Sequence, residues 1–86
     1  MFNLILQSAE YLQNLFSSIP GYLKKDNEHV DLGKFNKRGQ RGEKVGPKGW
    51  TISPDTSNHG GSKWKLKDKS GKRVASLSGD GKILRK

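Results

Sequence analysis

The segment SKWKLKDKSGKRVASLSGDGKILR, residues 62–85, decides the fold. It alternates strand-forming runs with two short connections, 68–71 and 78–81, that both carry glycine. Glycine supplies the positive φ that a tight hairpin turn needs, so these connections predict two β-hairpins in succession. One further strand precedes them and ends before Pro54. The predicted strands of this antiparallel meander are 49–53, 62–68, 72–78 and 82–85.

The run KWKLK has the period of two that defines a strand with two different faces. Trp64 and Leu66 lie on one face, and Lys63, Lys65 and Lys67 lie on the other. The apolar face can receive a helix, whereas the lysine face is open to solvent and to phosphates. A lysine row is equally typical of a face that is only solvated.

Residues 4–18 predict one amphipathic helix, because apolar side chains recur at helical spacing and Pro20-Gly21 follows. Its stripe is Ile5, Ala9, Leu12 and Phe16, extended by Leu15 and Ile19. We therefore expect a single α+β domain over residues 1–86, with the N-terminal helix packed on a small twisted antiparallel β-sheet. The expected divisions are a helical segment 1–23, a basic loop region 24–48 with at most one short strand near 30–35, and the β-meander 49–86 that carries the active site.

The charge distribution indicates a polyanionic partner. The net charge is +9, and residues 60–86 carry nine basic groups against two acidic ones. Such a field attracts nucleic acid and speeds association; an acidic protein inhibitor is a further candidate, and a membrane surface is a weaker one. The apolar start MFNLIL has no basic residue before it and is too short to span a bilayer, so neither a signal peptide nor stable membrane insertion is expected.

The chain contains no cysteine, and its eight carboxylates are scattered. We therefore expect no disulfide, no metal site and no cofactor.

The run SPDTSNHGG, residues 53–61, combines the groups that metal-free RNA cleavage requires. This chemistry needs a base, an acid and cations that stabilise the charged phosphorane. Histidine is a common proton-transfer group in catalysis, which makes His59 a candidate, and Asp55 is close enough along the chain to orient it or to act as base. The predicted catalytic residues are His59, Asp55, Lys63 and Lys65; the predicted substrate-binding residues are Lys67, Arg73, Thr56, Ser57 and Arg41. Arg73 could join either the lysine face or the sheet edge.

Two alternatives remain open for these residues. The first is that the role of Asp55 is purely structural and consists of forming an Asx-type turn after Pro54. The second is that His59 has no catalytic role, since an exposed loop histidine is more often inert than catalytic. His29, flanked by acids in NEHVD, is a weaker second candidate.

The run ISPDTSNHGGSKWKL followed by GKRVASLSGDGKILR resembles the C-terminal nuclease domains of bacterial polymorphic toxins, including the contact-dependent growth inhibition toxins. The resemblance covers roughly residues 49–86, and residues 1–48 contribute nothing to it. The rRNA-cleaving colicins have a similar layout with a glutamate after the histidine. Residues 60–65 contain no acid here, which favours the tRNA-cleaving groups.

The resemblance implies a toxic, metal-independent endoribonuclease that cleaves tRNA, or alternatively rRNA, by attack of the 2′-hydroxyl. It would be exported as part of a larger toxin, act in the cytoplasm of a competing cell and be neutralised by an acidic cognate immunity protein. A host translation factor is left open as a further partner. The alternative from another class is a non-catalytic basic module that binds nucleic acid.

Overall fold

The computed structural model describes the backbone of residues 4–86 and the side chains of residues 11–86. This part of the chain folds as α+β, as predicted, with one helix, a two-stranded sheet and a six-stranded sheet. The helix and strands are α1 (Leu4–Ser18), β1 (Lys24–Asp26), β2 (His29–Val30), β3 (Lys37–Arg38), β4 (Lys44–Val45), β5 (Thr51–Pro54), β6 (Trp64–Lys67), β7 (Arg73–Leu77) and β8 (Ile83–Arg85).

The helix ends where the sequence predicts. Ser18 Oγ donates a 2.8 Å hydrogen bond to the Leu15 carbonyl in the last turn, and Pro20 then prevents continuation. Leu15 and Ile19 are buried in the same apolar cluster as the sheet residues, and Phe16 packs against it, so the C-terminal end of the stripe packs as expected. The side chains of Ile5 and Ala9 lie outside the described residues.

The larger sheet is an antiparallel meander in which each strand pairs with the next along the chain, in the order β3 to β8. The turns of its two C-terminal hairpins each contain a glycine with positive φ, Gly71 at 87° and Gly81 at 95°, as the sequence predicts. Side chains close both turns. Asp68 Oδ1 accepts from the Ser70 backbone N–H and hydroxyl, whereas Ser78 Oγ bonds to Asp80 and accepts from the Lys82 N–H in the next turn.

The core lies on one face of this sheet. Ile52, Leu66 and Ala75 are directly paired across β5, β6 and β7 and are completely buried. Deleting most of a fully buried leucine side chain costs about 2–5 kcal/mol, a large part of the ~5–15 kcal/mol that stabilises a typical domain. Leu66, which is paired with both Ile52 and Ala75, is therefore expected to contribute strongly to the stability of the fold.

The prediction of a basic loop over residues 24–48 is wrong, because this region contains the four short strands β1 to β4. Val30 and Phe35 anchor it in the core, with exposed fractions of 0% and 2%. Only Val30 of the predicted strand near 30–35 is extended in a strand; Leu32–Lys34 forms a 3-10 turn that Asp31 caps through the Gly33 N–H. Strands of two or three residues are too short to show alternation, so their pairing depends on tertiary packing.

Candidate functional site

The face of the six-stranded sheet opposite the core carries a group of cations. Ser53, Lys65, Ser76 and Arg85 are register partners across β5 to β8. Directly opposed side chains of neighbouring strands lie on the same face, so this row shares one face. The next row contains Thr51, Lys67 and Arg73. We call the group formed by Lys63, Lys65, Lys67, Arg73 and Arg85 the cationic face. Lys63 is included because it continues the alternation of Lys65 and Lys67 by one step before β6 begins.

Two β-bulges bring the arginines onto this face. Between the pairs Leu66–Ala75 and Lys67–Arg73, β7 has one extra residue, Val74. A bulge shifts the alternation by one position, so Arg73 joins Lys67 and its guanidinium donates to Ser76 Oγ. A second bulge lies between the pairs that β8 forms with Ser76 and Leu77, and it gives Arg85 the position opposite Ser76.

Arg85 fastens the turn that contains His59 to the sheet. Its guanidinium donates a 2.7 Å hydrogen bond to the His59 carbonyl, which also accepts from the Ser62 N–H at 3.0 Å. Asn58 and Gly60, on either side of His59, both have left-handed backbone conformations, with φ of 58° and 57°. A side chain at Gly60 would come within 3.0 Å of the Arg85 guanidinium, so glycine permits both the turn and the contact. The His59 side chain is exposed at this border of the cationic face.

The structure does not join Asp55 to His59. Instead, Asp55 Oδ2 accepts a 2.5 Å hydrogen bond from Ser62 Oγ, and Oδ1 accepts from Ser57 Oγ at 2.7 Å and from the Ser57 N–H at 3.1 Å. These bonds, chiefly that from Ser62 and then those from Ser57, hold the pKa of Asp55 far below its ordinary value. A carboxylate that binds a proton so weakly is a poor general base, and its geometry is that of a loop anchor.

The carboxylate that lies on the cationic face is Glu43, which the sequence did not point to. Its Oε2 accepts from Ser53 Oγ at 3.2 Å and lies 3.7 Å from the Lys67 ammonium. It is half-buried, and it reaches the face from the end of the β3–β4 turn. These contacts span 10 and 24 residues of sequence, so only the pairing of β4 with β5 brings them together.

The remaining predicted residues are placed as follows. Lys63 and Thr56 are exposed, and the Ser57 hydroxyl is committed to Asp55. Arg41 lies outside the cationic face, at the exposed tip of the β3–β4 hairpin. His29, on β2, contacts Asp26 through Nδ1 at 2.9 Å, and this hydrogen bond is the main reason that the pKa of Asp26 is lowered.

The cationic face is poorly neutralised. Among the described side chains, Lys67 is its one member with a carboxylate within 4.0 Å, namely that of Glu43. Four of the five cations therefore remain available to an anionic ligand. We expect these cations to bind most tightly a ligand that carries several phosphates, because each phosphate contact releases condensed counterions.

Comparison of the chain with protein-family models, with curated proteins and with solved structures gives no significant match. Over the residues that are described, no helix is long and apolar enough to cross a membrane. The same part of the chain has no cluster of three histidine, aspartate or glutamate side chains that could hold a metal ion.

Proposed function

We propose that this domain is a metal-independent endoribonuclease whose substrate lies on the cationic face. The observation that carries the proposal is the combination on one face of five cations, one partly buried carboxylate and a histidine turn fastened by Arg85. Lysine and arginine side chains bind the phosphate, and they stabilise the phosphorane as its charge grows. Removing one such donor typically slows a reaction about 10²–10³-fold.

His59 is the proposed proton-transfer group. It lies at the border of the cationic face, and its backbone is fixed by two hydrogen bonds. A fixed backbone limits the positions open to the imidazole, which favours one orientation relative to a bound phosphate. Because Asp55 is held by serines, Glu43 replaces it in this proposal as the second proton-transfer group.

In the reaction, a base removes the proton of the ribose 2′-hydroxyl, and the 2′-oxygen attacks the adjacent phosphorus. The bond from phosphorus to the 5′-oxygen breaks, and an acid protonates that oxygen. The products are a 2′,3′-cyclic phosphate and a free 5′-hydroxyl. The reaction is balanced without an oxidant, a water molecule or a metal ion.

Several wider features of the proposal rest on the toxin resemblance of residues 49–86. They are tRNA as the substrate, with rRNA as the alternative, export as part of a larger toxin, action in the cytoplasm of a target cell, and inhibition by an acidic immunity protein. A protein of that charge would cover the same cations that hold RNA. Its rate of association would fall as the salt concentration rises, since the Debye length shortens from ~10 Å at 0.1 M to ~3 Å at 1 M.

A non-catalytic RNA-binding module is the second candidate, and one observation favours it. The Asp55–His59 pair expected from the sequence is not formed, because Ser57 and Ser62 hold the carboxylate. A binding module needs only the cations.

Incubation with total bacterial RNA in EDTA separates the two functions. The nuclease proposal predicts discrete fragments that end in 2′,3′-cyclic phosphate. RNA that is bound but stays intact, with and without host extract, would favour the binding module. Cleavage that strictly requires a divalent metal would contradict the metal-free mechanism.

A further inference from the structure

A second basic surface lies on the β3–β4 hairpin, at the edge of the six-stranded sheet. Lys37 continues the row of Thr51 and Lys67 on the cationic face, whereas Arg38 and Lys44 continue the row of Ile52 on the other side of the sheet. The second surface borders a groove of about 550 Å³ and contains four exposed cations, which we call the hairpin cations: Lys37, Arg38, Arg41 and Lys44. The one acid in the lining, Glu43, points its carboxylate at Ser53 and Lys67. The charge of the hairpin cations is therefore not neutralised within the groove.

The hairpin places like charges opposite each other. Arg38 and Lys44 are direct register partners, an arrangement that destabilises an antiparallel pair. The Lys44 ammonium lies over the Trp64 ring, 5.2 Å from its centroid. No described carboxylate lies within 4.0 Å of any hairpin cation. An anion held between Arg38 and Lys44 would replace this repulsion with two attractions.

The tip of the hairpin exposes an arginine at an unfavourable backbone position. The Glu43 N–H donates to the Gln40 carbonyl at 2.9 Å, and Arg41 and Gly42 have φ of 53° and 81°. This is a type I′ turn, in which asparagine, aspartate or glycine is preferred at the position that Arg41 occupies. An unfavourable conformation that persists at an exposed tip points to a role for the side chain.

The hairpin tip also borders the loop that carries His59. A side-chain carbon at Gly42 would lie 3.3 Å from Pro54 Cγ, and Pro54 is the last residue of β5 before that loop. A polymer bound on the cationic face can therefore continue past the tip and around the edge strand β3 to Arg38 and Lys44, whereas a single nucleotide cannot reach both surfaces.

We propose that the hairpin cations form a second phosphate-binding subsite, which holds the RNA strand where it continues beyond the nucleotides on the cationic face. The inference rests on the proposed function for the identity of the ligand as RNA. A basic groove that follows the backbone is a common means of binding single strands without reading their sequence. The subsite makes the protein prefer long RNA to short RNA.

The test compares the variant Arg38→Gln/Arg41→Asn with the control Lys25→Gln/Lys82→Gln. Both remove two exposed positive charges, and the control residues lie on β1 and just before β8, away from the hairpin. Asparagine at position 41 retains the type I′ turn. The probes are a single-stranded dodecamer and a trinucleotide, both fully 2′-O-methylated, so that neither can be cleaved.

Affinity for each probe is measured as a function of salt. For the dodecamer, the hairpin variant is expected to lose about 1.4 from the slope of log affinity against log salt, because each phosphate contact of a single strand contributes ~0.7. Its affinity for the trinucleotide should match that of the control. Equal slope losses in the hairpin variant and the control, or an equal loss of affinity for both probes, would overturn the second subsite.

These results do not depend on catalysis. A protein that cleaves no RNA but shows the predicted dependence on probe length retains the subsite and loses the nuclease function. A protein that cleaves RNA while the hairpin variant binds the dodecamer as tightly as wild type retains the function and loses the subsite.

Discussion

Asp55 accepts a 2.5 Å hydrogen bond from the hydroxyl of Ser62, a side chain that is completely buried. This contact closes the loop between β5 and β6, together with the 2.8 Å bond from the Asp55 N–H to the Lys63 carbonyl. Asp55 therefore has a structural role, which is to fix the shape of the loop that contains His59.

The first prediction is that Ser62→Ala lowers the thermal midpoint at neutral pH and that this deficit relative to wild type shrinks as the pH falls. The folded-state pKa of Asp55 lies below its ordinary value of 3.8, so the ionised carboxylate stabilises the fold. That contribution is complete above the ordinary pKa and is lost as the pH falls below it. Thermal melts of both proteins at a series of pH values from neutral to acidic measure the effect.

Asp68→Asn is the matched control, since Asp68 makes the same pair of bonds to Ser70 but lies in a more open turn without a buried hydroxyl partner. It should change the midpoint less than Ser62→Ala does. If Ser62→Ala melts like the wild type at neutral pH, or if its deficit stays the same down to acidic pH, the bond from Ser62 to the ionised Asp55 does not stabilise the loop.

The second prediction concerns the bond between Arg85 and the His59 carbonyl. Arg85→Gln should reduce the rate of RNA cleavage by about 10²–10³-fold, since it removes both a phosphate donor and the clamp on the His59 turn. Arg85→Lys retains the positive charge but lacks the planar guanidinium group, so RNA binding should stay closer to the wild-type level than the cleavage rate does. A lysine variant that restores turnover fully would show that charge alone matters and that the clamp does not.

The third prediction concerns Glu43, whose carboxylate lies beside Ser53 and Lys67. Glu43→Gln should slow cleavage by about 10²–10⁴-fold, as expected for the loss of a general acid or base. It should also tighten RNA binding, because it removes a negative charge from the cationic face. Single-turnover cleavage and binding to 2′-O-methylated RNA separate the two effects.

Glu28→Gln controls for the charge change, because Glu28 is exposed and lies between β1 and β2. It should leave cleavage unchanged. Wild-type turnover in Glu43→Gln would remove Glu43 from the mechanism.

The features that the sequence predicts well are those set by local signals. Strand β6 follows from alternation, β6 and β7 are each followed by a short glycine-containing turn, and the helix is ended by Pro20. Each signal acts within a few residues, so tertiary packing does not change the outcome.

The candidate site depends on longer-range contacts, and the sequence predicts it less well. Asp55 has two serines within seven residues that compete with His59, and a sequence does not show which partner is closer in space. Arg73 reaches the cationic face only because β7 bulges at Val74. Glu43 meets Lys67 only because the unrecognised hairpin β3–β4 extends the sheet.

We propose that His59, at the border of the cationic face, transfers protons during RNA cleavage, and His29 in the same chain provides a control. The most direct measurement is the cleavage rate of tRNA in EDTA for His59→Gln and for His29→Gln, each compared with wild type at equal fold stability. We predict a loss of about 10²–10⁴-fold for His59→Gln and a rate near that of wild type for His29→Gln. Wild-type cleavage by His59→Gln, or a loss confined to His29→Gln, would contradict the account.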